Sequence, residues 1–194
     1  MSNLKYQILL GSASPRRRAL LAGLDLPFTA ISIDADETFP AELQAGDIPY
    51  YISREKARAY TDRLTENQLL ITADTIVWLD GRMLGKPHNE AEAIQMLHRL
   101  SGKTHQVYTA VTFAQKGQDF TTIVDKTDVT FCELSDEEIA QYVAKYKPLD
   151  KAGAYGVQEW IGYVACTAMN GSYFNVMGFP IHLVYQELKN RGIV

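Results

Sequence analysis

Cysteine is nearly absent: the 194 residues contain two, Cys132 and Cys166. Two thiols this far apart make neither a metal knuckle nor a disulfide framework. Both sit in apolar, strand-like sequence, which predicts buried free thiols. Excess positive charge is also missing, since 19 Lys and Arg stand against 23 Asp and Glu for a formal net charge of -4. That balance excludes a chain whose main partner is nucleic acid. No apolar run is long enough to span a bilayer, and the N-terminus has no charged-then-apolar leader with a small-residue cleavage site. The expectation is a cytoplasmic protein with no membrane partner. The four histidines, His88, His98, His105 and His182, are scattered, and none pairs with another at metal-ligand spacing. There is no Walker loop, no Gly-x-Gly-x-x-Gly and no Gly-x-Ser-x-Gly elbow, so three common ways of building a phosphate or acyl-transfer site are excluded. Internal repeats, linkers and low-complexity tracts are lacking too.

What is present is a 46% hydrophobic chain, ample for a core and of a length that suits one domain over residues 1–194. Strand-like and helix-like segments are interspersed, with both crossover and hairpin connections. This predicts an α/β fold built on a mixed sheet with helices packed around it. Ile8-Leu9-Leu10-Gly11 reads as a strand, and Pro15 to Ala22 as a helix ending at Gly23. Pro27 to Ile33 reads as a second strand. A helix over Ile48 to Tyr60 takes Asp47 as its cap. Leu69 to Trp78 is a strongly apolar strand, and Asp80-Gly81 is a hairpin turn. Asn89 caps a further helix. Two long strands follow, Gln106 to Ala114 and Phe120 to Phe131. Ser135-Asp136-Glu137-Glu138 is a capping box. Tyr163 to Ala168 reads as a short strand that turns at Asn170-Gly171 and returns through Tyr173 to Val176. Pro180 opens a closing helix.

The most suggestive stretch is Ser12-Ala13-Ser14-Pro15-Arg16-Arg17-Arg18. Ser14 falls at an N-cap and Pro15 in the first helical turn, where its missing N–H costs nothing. Small residues at a helix N-terminus present backbone N–H groups and a positive dipole end, and the arginines add forked donors. Two readings stand: a grip for a polyphosphate, or an ordinary cap followed by a solvated basic face. Asp74 interrupts the apolar strand. A carboxylate there needs a partner or a cation, so it is a general base for water, a metal ligand or both, or else an edge-strand residue facing water. Asp34, Asp36 and Glu37 give more carboxylates at a strand end, either a solvated acidic loop or part of the same cleft. Oxygen-rich sets suit magnesium or manganese. Lys56, Lys86 and Lys151 are candidate phosphate clamps: Lys56 mid-helix, Lys86 in a stiff Gly-Lys-Pro loop, Lys151 before small residues where the backbone can approach a ligand. Cations for phosphates and carboxylates for a metal and a water, with no evident nucleophile, are the parts of metal-assisted phosphoanhydride hydrolysis.

In this order the motifs resemble the Maf family of nucleoside triphosphate pyrophosphatases. The resemblance runs through Ser12-Ala13-Ser14-Pro15-Arg16-Arg17, Glu37, Arg54-Glu55-Lys56-Ala57 and Ala73-Asp74-Thr75-Ile76-Val77. It continues through Gly85-Lys86-Pro87, Leu100 to His105, Asp150 to Gln158 and Asn170-Gly171-Ser172-Tyr173. It implies a fold like that of the inosine triphosphate pyrophosphatases, with a long twisted mixed sheet and flanking helices in two lobes around a cleft. It implies hydrolysis of a nucleoside triphosphate to the monophosphate and pyrophosphate, a divalent cation (Mg2+ or Mn2+) held by Glu37 and Asp74, and a homodimer. Asp74 matches the family's proton acceptor, and Glu37, Lys56 and Lys86 match its other charged catalytic positions. Ser12, Ser14 and Arg17 match the phosphate-side loop. Arg16, Thr75 and Gln158 match positions that go with the dTTP and UTP branch, where an amide such as Gln158 can both donate to and accept from a pyrimidine edge. Modified nucleotides are an alternative substrate class, and a nucleotide-binding regulator of cell division is an alternative function. Two departures stand out. Glu159-Trp160 follows Gln158 where many members have glycine, which puts a bulky pair beside the expected base pocket. The acidic loop reads Asp-Ala-Asp-Glu-Thr rather than the commoner Glu-Glu, which leaves Asp36 competing with Glu37.

Overall fold

The computed structural model describes residues 6–194. Its hub is strand β3 (Gln68–Leu79), in which Leu69 to Asp74 are all buried. An apolar run this continuous suits a strand covered on both faces. In chain order the other strands are β1 (Gln7–Gly11), β2 (Phe28–Ile31), β4 (Arg82–Leu84), β5 (Thr104–Ala114), β6 (Thr121–Phe131) and β7 (Cys166–Asn170). The helices are α1 (Pro15–Ala22), α2 (Asp47–Thr61), α3 (Glu90–Leu100), α4 (Asp136–Tyr146), α5 (Trp160–Ala165), α6 (Tyr173–Val176) and α7 (Ile181–Asn190), with a short 3-10 turn at Ala152–Ala154. The sheet runs β2-β1-β3-β5-β6-β7, and β4 also pairs with β3. The first three of these are parallel, joined by helical crossovers, and the rest are antiparallel.

The two edges of β3 are occupied differently. On one edge β5 pairs from Leu70 to Trp78. On the other, β1 pairs only as far as Thr72, and β4 begins at Val77. Residues 73–76 therefore have no strand beside them on that edge, and the sheet carries a notch there. Asp74 and Thr75 lie in it. Two apolar clusters flank it. One gathers Ile8, Leu10, Leu21, Phe113, Phe179 and Leu188 around β1, α1 and α7. The other gathers Leu97, Phe131, Ile139, Tyr142 and Ile161 around α3, α4 and α5. These are the two lobes.

Local signals govern the element ends. Ser14 caps α1 and accepts from the Arg17 N–H. Asn89 caps α3, and Ser135 with Glu138 forms the full capping box of α4. Asp80 and Gly81 both take positive φ, +50° and +75°, as the tight turn between β3 and β4 requires. Three expectations fail. Asp47 is the first residue of α2, and Gly46 precedes it with no side-chain cap. Of the run Tyr163 to Ala168 read as a strand, only residues 166–168 are strand, at the start of β7; residues 163–165 close α5, in which Ile161 and Ala165, four apart, both bury against the second cluster. Residues 173–176 are a helical turn capped by Ser172, so Asn170-Gly171 does not lead into a hairpin. The cysteines are free, as expected, but only half-buried.

One core histidine carries a measurable consequence. His105 on β5 is fully buried, with Nε2 2.7 Å from the Tyr155 hydroxyl and its ring edge-on to Phe131 and Tyr155. Burial pushes its pKa down to about 4 and pushes the Tyr155 phenol up. The folded state thus holds His105 neutral where the unfolded chain, titrating near 6.5, binds a proton. The stability this contributes is complete above pH 6.5 and is lost as pH falls toward 4. NMR titration of the imidazole carbons should show His105 neutral down to about pH 4.

Candidate active site

The notch opens into a cleft of about 420 Å³. The loop after β1, the residues of β3 opposite it, the β4–α3 loop and the 150–158 loop all line it. Eleven of the candidate residues read from the sequence are there, namely Ser12, Ser14, Arg16, Arg17, Glu37, Lys56, Asp74, Thr75, Lys86, Lys151 and Gln158, whereas Asp34 and Asp36 do not line it. Their behaviour within it differs.

At the centre stands Lys56 of α2. Its ammonium lies 2.8 Å from Asp74 Oδ1 and 2.8 Å from Glu37 Oε1. Lys86, on the exposed loop after β4, reaches Glu37 Oε2 at 3.7 Å. Burial pushes the Glu37 carboxyl up, but the hydrogen bond and charge of Lys56, with the charges of Lys86 and Arg17, outweigh it and hold Glu37 below the usual carboxylate range. Asp74 is 8% exposed. Its second carboxylate oxygen has no hydrogen-bond partner among the described residues. Asp36 is occupied elsewhere, accepting from both the N–H and the hydroxyl of Thr38. The loop turns on Asp36 and delivers Glu37.

The arginines divide the work. Arg17 lays its guanidinium across the notch, where Nε donates to the Gly178 carbonyl at 2.8 Å and Nη1 to the Ala73 carbonyl at 2.8 Å. Nη2 donates to Thr75 Oγ1 at 3.1 Å, and Ser12 Oγ lies 3.5 Å from Nη1. Desolvation by burial lowers its pKa, and the nearby Asp74 charge opposes that shift. Most of its donors are committed to protein, so it ties α1, β3 and the turn before α7 together. Gly178 takes φ +98° there, and a Cβ would sit 3.2 Å from Thr75 Oγ1. Arg16 spans the mouth of the cleft to Asp150 at 3.1 Å. Arg18 is exposed and turns back to the Ser12 carbonyl.

Lys151 is only 8% exposed and is held by Asp150 at 2.7 Å and Glu159 at 3.2 Å. Glu159 also accepts from the Tyr142 hydroxyl, and Trp160 packs on the second cluster. Neither lines the cleft, so the bulky pair expected to reshape the base pocket serves the core behind it. Sequence reading missed Tyr155, Asp150 and Gly178 as cleft residues; only the small-residue run from Ala152 hinted that the chain there is built for close approach.

Glu37 and Asp74 are also the residues that could hold a divalent cation. Both already face one point of positive charge, the Lys56 ammonium. No cluster of three His, Cys, Asp or Glu among the described residues could hold an ion alone. An ion held by these two carboxylates would need phosphate oxygens and water to complete its shell, which is how magnesium is usually bound. Chemically the cleft offers a carboxylate with a free oxygen, cations around it and a serine loop whose Ser12 and Ser14 N–H groups already donate to the Leu10 carbonyl and to Ser12 Oγ.

Residues 7–191 match the family described as Maf-like protein. Among relatives, the chain is 53% identical over 188 residues to a dTTP/UTP pyrophosphatase of Phocaeicola vulgatus, covering 95% of this chain and 96% of that one. It is 53% identical over 188 residues, at the same coverage, to a dTTP/UTP pyrophosphatase of Bacteroides thetaiotaomicron. Among solved structures it shares the fold of the Staphylococcus aureus Ham1 protein, with a TM-score of 0.54 at 16% identity, covering 95% of this chain and 99% of that one. A HAM1 protein from Coxiella burnetii gives a TM-score of 0.52 at 14% identity, with the same 95% and 99% coverage.

Proposed function

This chain belongs to the Maf family, and from that premise we propose that it is a nucleoside triphosphate pyrophosphatase acting on dTTP and UTP. Water adds to the α-phosphorus, the bond from that phosphorus to the α–β bridging oxygen breaks, and pyrophosphate leaves the nucleoside monophosphate behind. Asp74 takes the proton of the attacking water through the oxygen that Lys56 does not engage. Lys56 fixes the carboxylate's orientation, so the base is positioned before substrate arrives. Glu37 fixes Lys56 in turn. The Ala13 N–H of the serine loop and the N-terminus of α1 meet phosphate oxygens, and Lys86, on its exposed loop, adds a cation. Arg16 contributes once a phosphate displaces Asp150. Glu37 and Asp74 would hold a magnesium or manganese ion, which supplies charge neutralisation on the phosphates when bound.

The observation that carries this reading is the meeting of Asp74 and the Ser12–Arg17 loop across the notch in the sheet. The reading extends to a homodimer and a cytoplasmic nucleotide pool. β7 is an edge strand, with Tyr163 80% exposed and Phe174 43% exposed in the helices on either side of it in sequence. The free half-buried cysteines suit a reducing compartment. No helix among the described residues is long and apolar enough to cross a membrane. The test is product analysis over dTTP, UTP, CTP, the purine triphosphates and 7-methyl-GTP, with magnesium or manganese. Pyrophosphate and monophosphate from dTTP and UTP are expected. Release of orthophosphate, or a preference for 7-methyl-GTP, would overturn the assignment.

A further inference from the structure

Thr75 lines the cleft, and the direction of its hydroxyl is set from behind. Its Oγ1 receives an N–H from Arg17 at 3.1 Å and lies 3.0 Å from Thr109 Oγ1. Thr109 is fully buried, and its other partner is the Asn175 backbone carbonyl at 3.0 Å. A carbonyl can only accept, so Thr109 spends its one proton there. Thr109 must then accept from Thr75. The reverse polarity would leave the Thr75 proton only the Gly178 carbonyl at 3.4 Å, a poor bond in place of a good one. Asn175 is itself fixed: its buried side-chain amide donates to the Val107 carbonyl at 3.0 Å and to Thr127 Oγ1 at 2.9 Å. The relay Arg17, Thr75, Thr109, Asn175 thus consumes the Thr75 donor and one of its two lone pairs.

We infer that Thr75 offers the substrate one hydrogen-bond acceptor and no donor, and that Thr109 is the positioning residue that makes it so. This rests on the pyrophosphatase reading for the identity of the ligand. An acceptor at this place fits the N3–H of uracil or thymine, a donor flanked by two carbonyls that the Gln158 amide can serve. Cytosine, nearly the same size, presents a bare N3 lone pair. Two acceptors then face each other, and a pocket made for a hydrogen bond discriminates sharply against the base that cannot make it. Selection between the pyrimidines comes from polarity, with no contribution from size.

Two probes test this. Equilibrium binding of the α,β-imido analogues of UTP and CTP reads the preference without any hydrolysis. Steady-state kcat/KM for UTP, CTP and N3-methyl-UTP reads it during turnover. The wild-type protein should favour uridine over cytidine by about tenfold or more in both, and N3-methyl-UTP should lose a similar factor. Thr109→Val frees the Thr75 proton to rotate toward a base. It leaves the Asn175 carbonyl its bond from the Gly178 N–H. It should shrink the uridine-to-cytidine ratio by about fivefold, chiefly through a lower KM for CTP. Thr109→Ser should restore the wild-type ratio. Equal binding of the two analogues by the wild type, or a folded Thr109→Val protein with an unaltered ratio, would overturn the inference. If Thr109→Val does not fold, N3-methyl-UTP decides, and turnover equal to that of UTP rejects the acceptor. Intact preference for uridine without any pyrophosphate release would instead refute the enzymatic reading alone.

Discussion

Asp74→Asn should lower kcat for dTTP by about 10²–10⁴-fold, the usual worth of a positioned general base, while KM moves far less. The substitution keeps the shape of the side chain and an oxygen for Lys56, so the strand and the ion pair of Lys56 with Glu37 at 2.8 Å survive. What disappears is the ability of the remaining atom to take a proton from water. Thermal unfolding of the variant should match the wild type, which separates loss of chemistry from loss of fold. Pyrophosphate release within about tenfold of wild type would remove Asp74 from the proposed role. Glu37→Gln is a useful companion. The Glu37 carboxyl is held below its ordinary range, so the stability it adds is present above the unfolded value and is lost as pH falls through the folded one. That variant should therefore flatten the acid side of the stability profile.

Arg17→Lys should destabilise the protein by about 3 kcal/mol, read as a shift in the urea midpoint at unchanged slope. Charge is retained in this variant. What is lost is the fork, because an ammonium cannot serve the carbonyls of Gly178 and Ala73 and the hydroxyl of Thr75 in one geometry. Two enclosed carbonyls are left short of a donor, and each costs about 1–3 kcal/mol. A loss below about 0.5 kcal/mol, ordinary for a surface change, would show that the fork is dispensable. The variant should also blur base selection, since the first link of the Thr75 relay is gone. Arg17 was read from the sequence as a phosphate contact. The structure shows where its donors go, and most go to protein.

That contrast marks what local sequence could and could not convey. The Ser14 and Asn89 caps, the Asp80-Gly81 turn and the Ser135 capping box depend on residues within four positions of each other, and their chemistry is written in order along the chain. So is the oddity of Asp74, a carboxylate in an apolar strand. Residues 163–165 and 173–176 were misread because runs so short have no decisive period, and the choice fell to packing of Ile161 and to the buried Asn175 amide. The choice between Asp36 and Glu37 depended on which one faced Lys56, 20 and 19 positions away. Asp150 bridging Arg16 and Lys151, and Thr109 meeting Thr75, join segments 134 and 34 residues apart. No spacing rule reaches that far; only the register of β3 against β5 brings Thr75 opposite Thr109.

The gap beside residues 73–76 has a final implication. Because β1 stops at Gly11, the molecule forgoes ladder bonds that two or three more residues of strand would supply. Extending β1 across the opening would tighten the sheet and bury its most polar wall, yet leave no room for a nucleotide. Selection for heat tolerance alone would favour sealing it, and only continued demand for turnover holds the breach open.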